Sequence, residues 1–311
     1  MTASSTRPGP APCAPRSTEA HTPGHPPDPT APGAPSYHRL SVLAPMMSVH
    51  CGPPRRGDGW LPVAELTADP AAVRDLVALD ARQGLARYGQ PLRPDVAAGF
   101  GLHRLVWPLS LLFTLPWLLE RRVPLLGPAD VSLRRGPAAV ELGVRPEAFV
   151  CLPDDPAAGS PAARCVPDGT ALAAELRCAL AEFFTPVLAA FGPVVRRGPR
   201  VLWAMATDAV VEGLCYAGGL VGEQDRARAE LSALLAPAGP GNPGPGPART
   251  PGAGAALAPA PAPFTPGAGF APPAPGRTGA SDTDRARASC CLVYTVEPAD
   301  MCGGCPRVTR R

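Results

Sequence analysis

The chain has 311 residues, enough for one large domain or two small ones with a proper core. Hydrophobic residues make up 45% of it, which excludes a wholly disordered protein, yet 45 Pro and 33 Gly approach the density of low-complexity sequence. Folded and Pro-rich stretches must therefore alternate. A net charge of +3, with every basic side chain an Arg and no Lys, is too small to direct the chain to nucleic acid or to an anionic membrane.

In chain order, residues 1–38 read as a disordered Pro-rich tail with too few large apolar side chains to offset its ordering entropy. No basic segment followed by an apolar one opens the chain, so a cytoplasmic location is expected. Residues 39–236 have the composition of a folded domain. Thr67-Ala-Asp69-Pro70 marks a helix start, with Asp69 capping and Pro70 in the first turn. Another helix begins at Asp95 and runs into Leu105–Leu119, a 15-residue apolar run shorter than the roughly 20 residues a membrane span needs. That run reads as buried core, and no membrane span is expected. Residues 130–152 alternate around Gly136-Pro137 and predict a hairpin followed by a third strand. Asp168-Gly-Thr170 opens a helix with a kink near Pro186. Pro199 opens another that ends near Gly218-Gly219, and a last one spans about 223–235. Residues 237–263 form a Pro/Gly/Ala-rich linker, and 264–311 a C-terminal cysteine-rich segment. The fold class is α+β: a mostly helical domain with a small antiparallel sheet, plus a C-terminal cysteine-rich hairpin.

The chemistry lies in that last segment. Cys290-Cys291 is followed, after ten intervening residues, by Cys302-Gly-Gly-Cys305, so four thiols fall within 16 residues. In a cytoplasmic protein such thiols serve as metal ligands more often than as disulfides. Thiolates select zinc or iron–sulfur clusters. Residues 292–296 have strand character and 297–300 turn character, so a hairpin would bring the two pairs together. Adjacent cysteines diverge on a strand or a helix. They close on one zinc only in an irregular loop, whereas a two-iron cluster is wider and tolerates divergent ligands. Spacing alone favours the cluster and leaves structural zinc open.

The C-C-x10-C-x2-C pattern at the end of the chain resembles the FhuF-type siderophore-iron reductases. The approach to it is also similar, in Pro263-Phe-Thr-Pro-Gly-Ala-Gly-Phe270 and Arg285-Ala-Arg287-Ala-Ser-Cys290. Arg200-Val-Leu-Trp203-Ala-Met-Ala-Thr-Asp208 is a looser likeness. The resemblance implies a [2Fe-2S] cluster held by Cys290, Cys291, Cys302 and Cys305. It further implies one-electron reduction of a ferric hydroxamate siderophore, with release of Fe(II). The expected partners are the ferric siderophore and an electron-donor protein or flavin reductase; no nucleic acid is expected. Two other readings stand beside it: a non-enzymatic binding protein whose four cysteines hold a structural zinc, and a [2Fe-2S] electron carrier or redox sensor without a siderophore site.

The remaining chemical groups read as structure. Cys13, Cys51, Cys151, Cys165, Cys178 and Cys215 show no ligand spacing, and Cys151, Cys178 and Cys215 sit in apolar patterns as small buried hydrophobes. Trp107, Trp117 and Trp203 read as core. Asp208 reads as a capped or surface carboxylate ahead of a substrate contact. Arg285, Arg287 and Arg307 read as solvated surface charge, or, if they face the cysteines, as groups that stabilise a reduced cluster. No His-based site is visible, because all five His lie at or before residue 103.

Overall fold

The computed structural model describes residues 32–136, 139–235, 262–265, 268–270, 285–298 and 305. The expected tail to residue 38 needs correction. Helix α1, Ala34–Leu43, begins earlier and buries Ala34, Ser36, Tyr37 and Leu40. The cause lies in a proline far along the chain. Helix α4, Pro94–Glu120, continues through Pro108 and Pro116. Pro116 has no N–H, so the Leu112 carbonyl four residues back lacks its helical donor. The Tyr37 hydroxyl donates to that carbonyl at 2.8 Å, and Tyr37 is 1% exposed. Tyr37→Phe would leave the buried carbonyl unsatisfied, at a cost of about 1–3 kcal/mol. The expected result is a fall in Tm of a few degrees per kcal/mol by calorimetry; an unchanged Tm would remove this role for the hydroxyl.

Helix α2, the short Val63–Ala68, is not among the expected elements. The expected Asp caps open two of the helices that follow it. Helix α3, Pro70–Tyr88, starts with the Asp69 carboxylate accepting from the Ala71 N–H at 2.7 Å. Helix α5, Gly169–Val195, starts with Asp168 accepting from the Ala171 N–H at 2.9 Å. Helices α6, Pro199–Val221, and α7, Gln224–Leu235, complete the set.

Helix α4 is the centre of the fold and packs against α1, α3, α5 and α6. From Leu105 to Leu118 all but Trp107 are buried, and the Phe113 and Phe183 rings meet edge-on at 5.2 Å. Close approach of α4 and α6 depends on Gly213, where a Cβ would lie 2.9 Å from Ser110 Oγ. The apolar run is 15 residues, but the helix containing it is 27, so length alone does not separate core from span. Helices α4, α5 and α6 are all long and apolar enough to cross a membrane. In this fold 83%, 56% and 67% of their most apolar windows are buried against protein.

Strands β1, Met47–Cys51, β2, Trp60–Pro62, β4, Val131–Arg135, and β5, Val140–Val144, form one sheet in the order β1-β5-β4-β2. The predicted hairpin is β4–β5, antiparallel with Leu133 opposite Leu142. The sheet is mixed, not wholly antiparallel, because β1 runs parallel to β5. The expected third strand, β6, Phe149–Cys151, leaves this sheet for a second one. There it lies between β3, Val123–Pro124, and β7, Ala163–Cys165. Its parallel register with β7 sets Cys151 opposite Cys165, with the Sγ atoms 4.0 Å apart. Burial, first among several causes, pushes the Cys151 thiol up to about 12. Cys151 and Cys178 are buried as expected, Cys215 is half-buried, and Cys165 is exposed. Cys13 and Pro137 lie outside the described residues.

Candidate functional site

The C-terminal segment returns to the helices at four places. Most of the expected linker, 237–261, lies outside the described residues, but Ala262 at its end is already buried. The Ala262 N–H donates to the Arg177 carbonyl on α5 at 3.1 Å, and the Arg177 guanidinium lies 5.8 Å from the centre of the Phe264 ring. The Thr265 N–H then donates to Thr207 Oγ1 on α6 at 3.1 Å. Strands β8, Gly269–Phe270, and β9, Arg285–Ala286, pair antiparallel.

The third place is the most constrained. Asp208 projects from α6 and is 3% exposed. Its carboxylate accepts from the Ala288 N–H and the Ser289 N–H, each at 2.8 Å, and from the Ser289 hydroxyl. Arg287 brings Nε to 3.8 Å from the same carboxylate and Nη1 to 3.5 Å from Glu212 Oε2, one helical turn further along α6. The Arg287 side chain is 6% exposed. Burial pushes the Asp208 carboxyl above the ordinary carboxylate range, while Ser289, Ala288 and Arg287 pull it back down. A buried carboxylate is costly unless hydrogen-bonded and paired, and here, among the described residues, its side-chain partners come from the three residues before Cys290.

The fourth place follows the cysteine pair. Leu292, Val293 and Val296 pack on Leu92, Val96, Ala97 and Phe100 at the start of α4. The Gln90 side-chain amide donates to the Val296 carbonyl at 2.9 Å. Residues 293–295 form a 3₁₀ turn after Leu292 in the left-handed region at φ 63°, not the expected strand of a hairpin. The turn lets three apolar side chains face α4 together, which the two-residue alternation of a strand would forbid.

Cys290 and Cys291 are thus held between two anchors, Asp208 on one side and the α4 patch on the other. Both are half-buried, Cys305 is buried, and none of the three is in a disulfide. Cys302 lies outside the described residues. Among the described residues no three His, Cys, Asp or Glu side chains gather as for a single ion. An all-thiol donor set at an anchored, partly buried loop is the chemistry that iron–sulfur ligation requires.

Three expectations change. Asp208 is neither a helix cap nor a surface carboxylate; it is the anchor of the cysteine segment. Arg287 is not solvated; it is buried in an ion pair. Trp107 is half-buried and its Nε1 is buried without a hydrogen bond. The Arg285 side chain and Arg307 lie outside the described residues. Trp117 and Trp203 are core, as expected.

Residues 287–307 match a domain family whose description is the FhuF 2Fe-2S C-terminal domain. The match opens on the buried Arg287 and takes in all four predicted cysteines. The segment is therefore similar to a [2Fe-2S]-binding domain. More particularly, that domain is of the FhuF type, in agreement with the likeness carried by the spacing of the cysteines. A search of curated proteins gave no match to the chain.

Proposed function

We propose that the protein is a cytoplasmic ferric-siderophore reductase acting on hydroxamate-type complexes. Cys290, Cys291, Cys302 and Cys305 would hold the cluster. The observation that carries this reading is the FhuF-type match over 287–307 on a segment clamped to the helical domain through Asp208. When bound, a [2Fe-2S] cluster supplies one electron at a time. One electron from an electron-donor protein or a flavin reductase, passed to one Fe(III) chelate, yields Fe(II) and the intact chelator. Hydroxamate oxygens match Fe(III) far better than Fe(II), so the metal leaves without destruction of its carrier.

The chain's own part is positional and electrostatic. Asp208 fixes the backbone immediately before Cys290, and the α4 patch fixes it immediately after Cys291. Arg287, buried three residues from Cys290, pairs with Asp208 and Glu212, so its charge serves to hold the segment to α6.

The test is anaerobic purification with an absorption spectrum and iron and sulfide analysis, followed by mixing of the reduced protein with a ferric tris-hydroxamate and an Fe(II)-trapping dye. About two irons and two sulfides per chain, visible charge-transfer bands and stoichiometric Fe(II) are expected. A colourless protein with about one zinc, even after anaerobic reconstitution, would sink the reading.

A further inference from the structure

A cleft of about 490 Å³ opens between α3, α4 and the β4–β5 hairpin, and its far wall is Glu212 of α6. Three arginines line it: Arg87 at the exposed rim, and Arg104 and Arg135 within. The two inner guanidiniums share one carboxylate. Asp80, 0% exposed, accepts from Arg104 at 3.0 Å and from Arg135 at 2.7 and 2.8 Å. One negative charge against two positive ones leaves a net positive charge at the floor of the cleft, and Arg87 brings a further guanidinium to its rim. Glu212 is engaged with Arg287 on its other side at 3.5 Å. His103 lines the same wall as Arg104. Trp107 also lines it, and the buried indole Nε1 of this residue has no hydrogen-bond partner.

The cleft also adjoins the cysteine segment. Glu212 belongs to both: it lines the cleft and pairs with Arg287. Three residues separate the Arg287 Cα from that of Cys290, at most about 11 Å of chain. Volumes of roughly 300–1,000 Å³ suit ligands of several hundred daltons, the size of an iron chelate.

We propose that this cleft, floored by the Asp80-bound Arg104 and Arg135 and rimmed by Arg87, is the binding site for the ferric complex, and that it selects complexes carrying a net negative charge, such as hydroxamate siderophores with a free carboxylate. The proposal rests on the reductase reading and adds to it a place and a charge preference. The guanidiniums would take the carboxylate. The iron-bearing end would then lie toward Glu212 and the cysteine segment.

The test uses redox-inert Ga(III) complexes with the full-length protein. One is a linear tris-hydroxamate with a pendant ammonium, a cationic complex; the other is the same chelator succinylated, an anionic complex. The anionic complex should bind about tenfold or more tightly, as one added ion pair in a cleft gives. Arg87→Glu, at an exposed position, should cost the anionic complex at least another tenfold and leave cationic binding equal or stronger. Equal affinities, a preference unmoved by Arg87→Glu, or no binding of either complex would overturn the site. Cluster content and electron transfer to a ferric tris-hydroxamate are measured on the same preparations. Charge-selective Ga(III) binding without iron–sulfur absorption supports the cleft and sinks the reductase. A cluster that reduces the chelate, with Ga(III) binding indifferent to Arg87, supports the reductase and sinks the cleft.

Discussion

Asp208→Ala should release the cysteine segment while leaving the helical domain folded. The substitution removes the acceptor for two backbone N–H groups and one hydroxyl, and it takes a carboxylate partner from the Arg287 side chain, which is 6% exposed. Hydrogen bonds to a charged group contribute about 1.5–3 kcal/mol each, and breaking a buried pair costs about 3–5 kcal/mol. The loss falls on the 287–289 stretch, because Asp208 makes its bonds there and to no other part of the domain that the structure describes. Trypsin cleaves after arginine, so protection at Arg287 reports the anchor directly. In the native protein that bond should resist cleavage. In Asp208→Ala it should be cut early, iron per chain should drop on purification, and the far-UV helical signal should hold. Asp208→Asn keeps one acceptor but sets an amide against donors, and should fall between the two. Full iron content and a protected Arg287 in Asp208→Ala would show that the segment is held by its other contacts.

The same anchor shows where sequence reading succeeds and where it stops. Local devices are legible because their partners are within a few residues. Asp69 and Asp168 cap helices through amides two and three residues on, and β4 and β5 pair across a short turn. The cysteine motif is legible for the same reason: its four thiols fall within 16 residues. Asp208 is not, since its partners lie 80 and 81 residues away. Nor is α1, because the Leu112 carbonyl that receives Tyr37 is freed by Pro116 in a different helix. Its ten residues also follow directly on a Pro-rich tail whose composition masks them.

A usable signal existed for Asp80 and Asp208, two of the buried acids. Asp80 falls on the stripe Val73, Leu76, Asp80, Gly84, at the spacing of one helix face, so a carboxylate stood where the core required an apolar side chain. Asp208 stands among Leu202, Trp203, Met205, Ala206, Ala209 and Val210. An acid in such a place needs a cation and donors from elsewhere, and Arg is the residue suited to answer it. The identity of that partner depends on tertiary contacts and could not be read from spacing. The 3₁₀ turn at 293–295 is a related case: Leu292, Val293 and Val296 have strand propensity, but the apolar patch at the start of α4 decides their conformation.

Asp80 gives the second large effect, and one that links the core to the proposed cleft. Its carboxylate is fully buried and holds Arg135, whose side chain is 7% exposed, in a two-pronged pair, with Arg104 donating to one of the same oxygens, Oδ1. Helix α4 leaves room for it at Gly101, where a Cβ would come within 2.9 Å of Asp80 Oδ2. Asp80→Ala should therefore cost about 3–5 kcal/mol, chiefly because Arg135 stays buried without its counter-charge. Asp80→Asn, of equal size, should keep the fold and lose less. Gly101→Ala should destabilise the same pair from the opposite side, without changing any charge. Asp80→Asn and Gly101→Ala together separate packing from electrostatics. Both lower Tm, but only Asp80→Asn removes a negative charge from beneath the cleft. It alone should raise the affinity for the anionic Ga(III) complex, while Gly101→Ala leaves it level or lower. A matching rise in both variants would mean that the arginines act by position and not by charge.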